Sequence, residues 1–401
     1  MIELLSPAGG RERLEYAIAY GADAVYMAGS GYSLRAFADN FTDSELSEAI
    51  KYAHIFGKKA YITTNIYAHN SDIDTMGDYI RRLAELGADA VLVADLGVLS
   101  LAKKAVPHMP VHISTQANIT NYMAAQMAYD LGASRVVLAR ELSLDEIAQI
   151  HARVPKLELE SFVHGAMCIS YSGRCLLSNY LTDRGANQGK CVQACRWKYE
   201  IREVNREEWM PIAEDERGTY ILNSKDLCMI EHLDKLAAAG VSSFKIEGRM
   251  KTAYYAATVT GAYRRAIDDM LAGKPFDHSL KDELGKAANR EFTTGFYFGK
   301  PEEAQRYGSS KCTQSYDFVA VVQKSENGVL TLEQRNKFNV GETLEVLSPD
   351  KERNGKTVTV SKIINQYGAS VPSAPNPQEI VTVPCDLDLR FRDILRRKSV
   401  K

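Results

Sequence analysis

Short apolar runs rich in β-branched residues alternate with amphipathic stretches along the first two-thirds of the chain. The runs cover 3–6, 24–28, 60–65, 91–95, 111–116, 135–140, 157–164 and 244–247. Between them, 43–56, 72–86, 121–131 and 145–154 carry apolar residues at helical spacing. The same punctuation leads from helix to run in Gly21-Ala22-Asp23-Ala24-Val25, Gly87-Ala88-Asp89-Ala90-Val91, Gly132-Ala133-Ser134-Arg135-Val136 and Gly240-Val241-Ser242-Ser243-Phe244. Glycine suits the left-handed residue that ends a helix, and an unbroken apolar run suits a strand covered on both faces. Eight such units predict an α/β fold, a (β/α)8 TIM-like barrel over 1–273. An open doubly wound sheet is the alternative, but no G-x-G-x-x-G follows an early strand to favour it.

One connection is abnormal. The segment 166–226 separates the seventh run from a helix expected at 227–239, whereas βα loops usually span about two to six residues. It reads as a Cys-rich insertion with a hairpin around 198–204 and 219–222. After a long helix at 252–271, Gly273-Lys274-Pro275 marks a boundary, 274–314 reads as a linker and helical segment, and the periodicity then changes. Short strands at 318–323, 329–332, 343–346, 357–363 and 379–383 are separated by polar turns such as Glu326-Asn327-Gly328, which predicts a small antiparallel β-barrel over 315–401. A lid, a partner-binding module and a stabilising appendage all fit that pattern.

Composition narrows the class. A chain of 401 residues with 45% hydrophobic and 25% charged positions is an ordinary soluble globular protein. A net charge of -2 excludes a uniformly basic surface, so any nucleic-acid contact has to come from a local patch. The N-terminal residues carry no basic flank and no long apolar run, which points to a soluble, cytoplasmic protein. Four of the seven cysteines crowd into the insertion, suiting metal ligation in a reducing compartment better than disulfides. Cys228, Cys312 and Cys385 read as core thiols.

The crowded set, Cys168, Cys175, Cys191 and Cys195, has the spacing C-x6-C-x15-C-x3-C with glycines interleaved. Four thiolates are the ligand set of a 4Fe-4S cluster or of structural zinc, and the spacing by itself leaves both open. Cys168 falls just beyond the seventh strand, on the barrel face where active sites gather. Asn65, Asp95, Gln116, Asn118, Arg140, Glu141, His164, Glu247 and Arg249 fall at the same ends of other strands. The run from Lys245 through Arg249 to Lys251 closes the eighth strand and opens a helix, a place where a carboxylate or phosphate would be welcome. An ion-paired helix start, Glu247 with Arg249 or Lys251, is the structural alternative.

At this point specific motifs enter. Glu160-Ser161-Phe162-Val163-His164-Gly165-Ala166-Met167-Cys168, followed by Gly173-Arg174-Cys175-Leu176-Leu177-Ser178, resembles the signature segment of the collagenase-like U32 peptidase family. Leu5-Ser6-Pro7-Ala8-Gly9, Arg35 to Phe41, Asn223-Ser224-Lys225-Asp226-Leu227, Lys245 to Arg249 and Phe292-Thr293-Thr294-Gly295-Phe296 are similar to further segments of that family. The resemblance implies a 4Fe-4S cluster on Cys168, Cys175, Cys191 and Cys195. Among subgroups, length and layout are similar to the proteins that hydroxylate the wobble uridine of tRNA at its 5 position, with prephenate instead of dioxygen as hydroxyl source. It also allows a homologous or homo-oligomeric partner. His164, Glu160 and Asp95 are then the catalytic candidates. Arg35, Asn65, Gln116, Lys245, Glu247, Arg249 and Lys251 are the candidates for binding substrate, the four cations among them chosen for a small dicarboxylate.

An RNA substrate also needs phosphate contacts and stacking surfaces. Arg196-Trp197-Lys198-Tyr199 supplies both, and the tail offers Arg390, Arg392, Arg396, Arg397, Lys398 and Lys401, diluted by Asp386, Asp388 and Asp393. The rival reading is a peptidase in which Cys168 is the nucleophile and His164 its base. No H-E-x-x-H or G-x-S-x-G offers another route. A thiolate committed to a metal cannot also attack a carbonyl, so the two readings compete for one sulfur. A third reading is a binding protein in which the metal only orders the insertion.

Overall fold

The computed structural model describes residues 2–33, 40–168, 170–172, 174–182, 184, 191–194, 200–201, 210–211, 225–299 and 313–399. Strands β1 (Glu3–Pro7), β2 (Ala24–Met27), β3 (Lys59–Thr63), β4 (Ala90–Val93), β5 (Val111–Ile113), β6 (Arg135–Val137) and β7 (Glu158–Ala166) lie side by side and parallel. Helices α1 (Arg11–Ala19), α2 (Asp43–Ile55), α3 (Asn70–Glu85), α4 (Leu96–Ala105), α5 (Tyr122–Asp130) and α6 (Leu144–Arg153) alternate with them. Thr42 and Ser143 open α2 and α6 with complete capping boxes to Glu45 and Glu146, which ends the preceding loop at a defined residue.

Past β7 come α7 (Leu177–Thr182), a two-residue hairpin of β8 (Glu200–Ile201) with β9 (Met210–Pro211), β10 (Asp226–Cys228), α8 (Leu233–Ala238) and β11 (Val241–Ile246). Strand β11 pairs in parallel with both β7 and β1, which closes the eight-stranded barrel. The hairpin's anticipated second arm, 219–222, lies outside the described residues. A single helix over 227–239 is not what forms. β10 runs antiparallel along the end of β7, with Cys228 opposite His164, and only then does the chain turn through Ile230–His232 into α8. The apolar residues at 227–230 cover the end of β7 instead of starting an amphipathic helix.

Helix α9 (Ala253–Leu271) packs across α1 and β1, and α10 (Ser279–Leu284) packs on α9. Strand β12 (Phe292–Thr293) then adds to β10, so the segment after 273 belongs to the barrel's own packing.

The second core is built from antiparallel strands. β13 (Tyr316–Glu326), β14 (Val329–Gln334), β15 (Phe338–Asn339), β16 (Thr343–Leu347), β17 (Thr357–Thr359), β18 (Ile363–Asn365), β19 (Ser370–Val371), β20 (Ser373–Ala374), β21 (Ile380–Pro384) and β22 (Ile394–Lys398) follow in order. Eight of them form one sheet in the order β17-β16-β22-β13-β14-β21-β18-β19 around a separate buried cluster. The basic tail is thus a strand, β22, inserted between β16 and β13.

Its cations are spent on carboxylates, some across the domain interface and some within the β domain. Arg396, fully buried, donates to Glu283 of α10 at 2.5 and 2.8 Å and to Glu345 of β16 at 2.5 Å. Arg392 pairs with Glu15 of α1 at 2.6 Å, Arg397 pairs with Glu342, and Tyr254 of α9 stacks on Phe318 of β13. A backbone-tracking role for Arg392, Arg396 and Arg397 does not survive this, because each guanidinium already has a carboxylate. No described helix is long and apolar enough to cross a membrane.

Candidate active site

Inward-pointing residues divide the barrel interior into an apolar side and a charged side. Leu5, Ala24, Tyr26, Tyr61, Ala90 and Leu92 form a small cluster inside the strands. Opposite them, Glu160 of β7 accepts from Lys245 of β11 at 2.7 Å and from Arg135 of β6 at 3.1 Å. Arg135 also reaches Glu3 of β1 at 2.5 Å and Glu158 at 2.7 Å, and Ser243 donates to Glu3 at 2.9 Å. Burial by itself would raise the Glu160 carboxyl, but Lys245 and Arg135 overcome it and hold the group below the ordinary carboxylate value. Glu160, a catalytic candidate, and Lys245, a substrate candidate, therefore sit at the buried centre of one ion-pair network.

Above this layer the strand ends carry a chain of hydroxyls and amides. Nη1 of Arg249, just beyond β11, donates to Ser33 Oγ at 2.9 Å and Thr63 Oγ1 at 2.8 Å. Asn65 donates to Gln116 Oε1 at 2.8 Å, and Ser114 donates to the same oxygen. Tyr67 and Asn118 both donate to the Gln116 carbonyl, at 2.8 and 2.7 Å, with Asn118 in the left-handed region at φ 56°. Arg249, Asn65 and Gln116 are thus brought together at the barrel mouth. Ser33, Thr63, Ser114 and Tyr67 join them without having been singled out, since a lone small hydroxyl or tyrosine carries no flag in a sequence. Asp95 is placed differently: its Oδ1 caps α4 by accepting from Val98 N at 3.0 Å.

Two glycines let the loop after β11 dip into this mouth. A Cβ on Gly9 would stand 1.8 Å from the Arg249 carbonyl oxygen, and one on Gly165 would stand 2.6 Å from the Glu247 carbonyl oxygen. The loop is clamped from β1 on one side and β7 on the other, which aims Arg249 inward. Tyr255 donates to the Glu247 carbonyl at 2.8 Å, and Lys251 donates to the Ala288 carbonyl at 3.2 Å, away from Arg249's partners. Arg35 lies outside the described residues.

The cysteine segment spans the same mouth. Arg140, in the turn after β6, donates to the Ala166 carbonyl at 2.6 Å and to Ser172 Oγ at 2.8 Å, while Arg174 lies 5.7 Å from the centroid of Tyr67 beyond β3. Further on, Ser178 of α7 accepts from Val192 N at 3.1 Å and donates to the Arg184 carbonyl at 2.8 Å, which draws the Cys191 stretch against the helix that follows Cys175. Cys175 Sγ accepts from Leu177 N at 3.4 Å, and Cys191 Sγ accepts from Gln193 N at 3.3 Å. Backbone amides donated to sulfur are also the hydrogen bonds that tune a cluster held on cysteines. Donor chemistry therefore fits a cluster or zinc. Among the described residues, however, no three His, Cys, Asp or Glu side chains are gathered closely enough to hold an ion, and Cys195 lies outside them.

His164 is kept from this surface. Its ring packs against Tyr255 and Tyr263 of α9 and Phe292 of β12, with Nδ1 3.4 Å from Tyr263 Oη. Burial, assisted by Lys251, pushes its pKa down to about 3. A neutral imidazole enclosed by aromatic rings is poorly placed to take a proton from Cys168, and the peptidase reading needs that transfer. Glu141, beside Arg140, is the carboxyl that stands out instead: burial raises its pKa against the pull of Arg140, and its Oε2 is buried with no hydrogen-bond partner among the described residues.

A closed parallel barrel with a polar mouth overhung by a cysteine segment, carrying a small antiparallel β domain, defines the class of protein. The chain belongs to peptidase family U32, whose domain matches residues 9–307 and whose C-terminal domain matches residues 314–396. It is 39% identical to tRNA hydroxylation protein P of Escherichia coli (strain K12), over 99% of this chain and 97% of that one. It is likewise 39% identical to tRNA hydroxylation protein P1 of Bacillus subtilis (strain 168), over 98% and 94%. The 23S rRNA 5-hydroxycytidine C2501 synthase of Escherichia coli (strain K12) is 33% identical over 86% of this chain and 49% of its own length.

Proposed function

We propose that this chain is an RNA-modifying enzyme that hydroxylates the wobble uridine of tRNA at its 5 position without dioxygen. Prephenate, a small dicarboxylate, is the proposed hydroxyl source, and a 4Fe-4S cluster on Cys168, Cys175, Cys191 and Cys195 is the proposed cofactor. The observation that carries the reading is the likeness to two tRNA hydroxylation proteins over nearly the whole of all three chains.

The geometry supports it in three respects. Arg249 supplies a guanidinium at the mouth, the group best suited to a carboxylate. Asn65, Gln116 and Asn118 supply amides that match the edge of a pyrimidine, and Tyr67 with Arg174 supplies planes on which a splayed base stacks. Amide-supported sulfurs at Cys175 and Cys191 suit a metal-bound thiolate. A bound cluster would supply one-electron chemistry there, and zinc would not. Binding and orienting both substrates and shielding the mouth from water fall to the chain's own residues.

Two measurements test the proposal. Nucleosides from tRNA of cells with and without the gene are compared by mass spectrometry, and loss of 5-hydroxyuridine and its derivatives is the expected result. Anaerobically purified protein is then analysed for iron, sulfide and zinc. A colourless protein with stoichiometric zinc removes the redox chemistry and leaves the RNA assignment to the nucleoside data.

A further inference from the structure

We infer that Arg140 is the positioning residue that holds the Cys168 segment over the barrel mouth. Its relevance to a metal rests on the ligand set proposed above, but the placement of the segment can be tested without any metal.

Residue 140 closes the connection out of β6, and its side chain crosses to the next strand. One nitrogen donates to the carbonyl of Ala166, two residues before Cys168, and another donates to the hydroxyl of Ser172, four residues after it. A single planar group therefore ties both ends of the loop that carries the first cysteine. Two bonds from one rigid fork fix the spacing of their acceptors as well as their positions, which a lysine ammonium cannot do. Ser172 is buried, so its bond is not readily exchanged for one to water. Below the guanidinium lies the ring of Phe162, 4.8 Å away, which limits tilting of the plane.

The origin of each partner matters. Phe162 and Ala166 belong to β7, and Arg140 stands in the turn that follows β6, so the anchor is built on and beside strands while the object it holds is a loop. Loops at a barrel mouth are otherwise the least constrained part of such a fold. A fixed positive charge next to a segment of metal-bound thiolates would also favour the more reduced, more negative form of a cluster.

The test uses the full chain as wild type, Arg140→Ala, Arg140→Lys and Ser172→Ala. In metal-free protein, alkylation of Cys168 by iodoacetamide is followed by peptide mass spectrometry, together with amide exchange of the peptide 166–172. Loss of a charge-assisted bond is expected to raise the alkylation rate of Arg140→Ala about tenfold. Lysine should rescue only part of that, and Ser172→Ala should show an intermediate rise. Equal rates in wild type and Arg140→Ala overturn the inference, whatever the metal content. If Arg140→Ala loses its far-UV circular dichroism, Ser172→Ala, which removes one bond only, decides in its place.

Anaerobic iron and sulfide content and the redox midpoint of the visible spectrum are then compared. Iron-free wild type defeats the cluster proposal and leaves Arg140 to the alkylation result. Iron-loaded wild type with both the midpoint and the iron content unchanged in Arg140→Ala overturns the link between Arg140 and the ligand set.

Discussion

The ammonium of Lys245 lies 2.7 Å from Oε1 of Glu160 at the centre of the barrel, and neither side chain reaches solvent to any useful extent. Removing Glu160 strands the Lys245 ammonium in the interior, at a cost of about 3–5 kcal/mol, whereas removing Lys245 costs less because Arg135 still faces Glu160 at 3.1 Å. Lys245→Met and Glu160→Gln are each expected to lower the urea midpoint accordingly, and the double variant to recover part of the loss. A Glu160→Gln protein that folds normally but makes no modified tRNA would instead give this carboxylate a role in the chemistry.

Arg249 reaches two neutral hydroxyls at the mouth, donating from Nη1 to Ser33 Oγ and Thr63 Oγ1. Arg249→Lys should keep the fold and lower tRNA modification about 10- to 150-fold, the range of a lost charge-assisted bond. Thr63→Val, which removes one of the two acceptors, should fall between that variant and wild type in the same nucleoside assay.

Gly9 is required by collision and not by backbone angle, because a Cβ there meets the Arg249 carbonyl at 1.8 Å. Gly9→Ala should displace the loop after β11, lowering the melting temperature and abolishing modification. Gly57→Ala is the control: at φ +66° its Cβ meets nothing within 4 Å, and the expected cost is only about 1 kcal/mol.

Arg396 links Glu283 on the barrel side to Glu345 in the β domain with no exposure of its own. Arg396→Met leaves two carboxylates facing each other with Lys286 as their remaining cation. Uncoupling of the domains is expected, seen as a urea transition that splits in two or as new cleavage in limited proteolysis. A single unchanged transition would show that the apolar contacts, including Tyr254 on Phe318, suffice.

His164 and His112 are both buried neutral. Burial lowers both, with Lys251 adding to the effect at His164 and Arg135 at His112. The unfolded chain therefore binds more protons than the folded one below the ordinary histidine value of about 6.5, and stability falls as pH falls. Between pH 6.5 and 5 His164 is expected to remove about 2 kcal/mol, with His112 acting in the same direction and full stability present above that window. Urea melts of wild type and His164→Gln across this range should show a shallower acid loss in the variant.

The barrel was legible because its signal is local. Each strand is a short apolar run, four of them announced by the glycine that ends the preceding helix, and all eight runs fall on observed strands to within a few residues. β10 was not legible, because 226–228 reads equally as the start of a helix and becomes a strand only where the end of β7 offers free backbone groups. The tail was misread for the same reason: Arg392, Arg396 and Arg397 look like a basic patch until Glu15, Glu283 and Glu342, far away in the chain, arrive beside them.

Amino-acid order alone determined which residue types stand at the mouth, since strand ends follow from the repeat and Asn65, Gln116 and Arg249 occupy them. It also determined the crowding of the cysteines. Tertiary structure alone decided which polar groups are spent on one another: Glu160 on Lys245, Asp95 on the start of α4, His164 on an aromatic enclosure and Arg140 on the cysteine segment. Side-chain direction and partner choice depend on residues brought together from opposite sides of a closed barrel, and no periodicity along the chain encodes those distances.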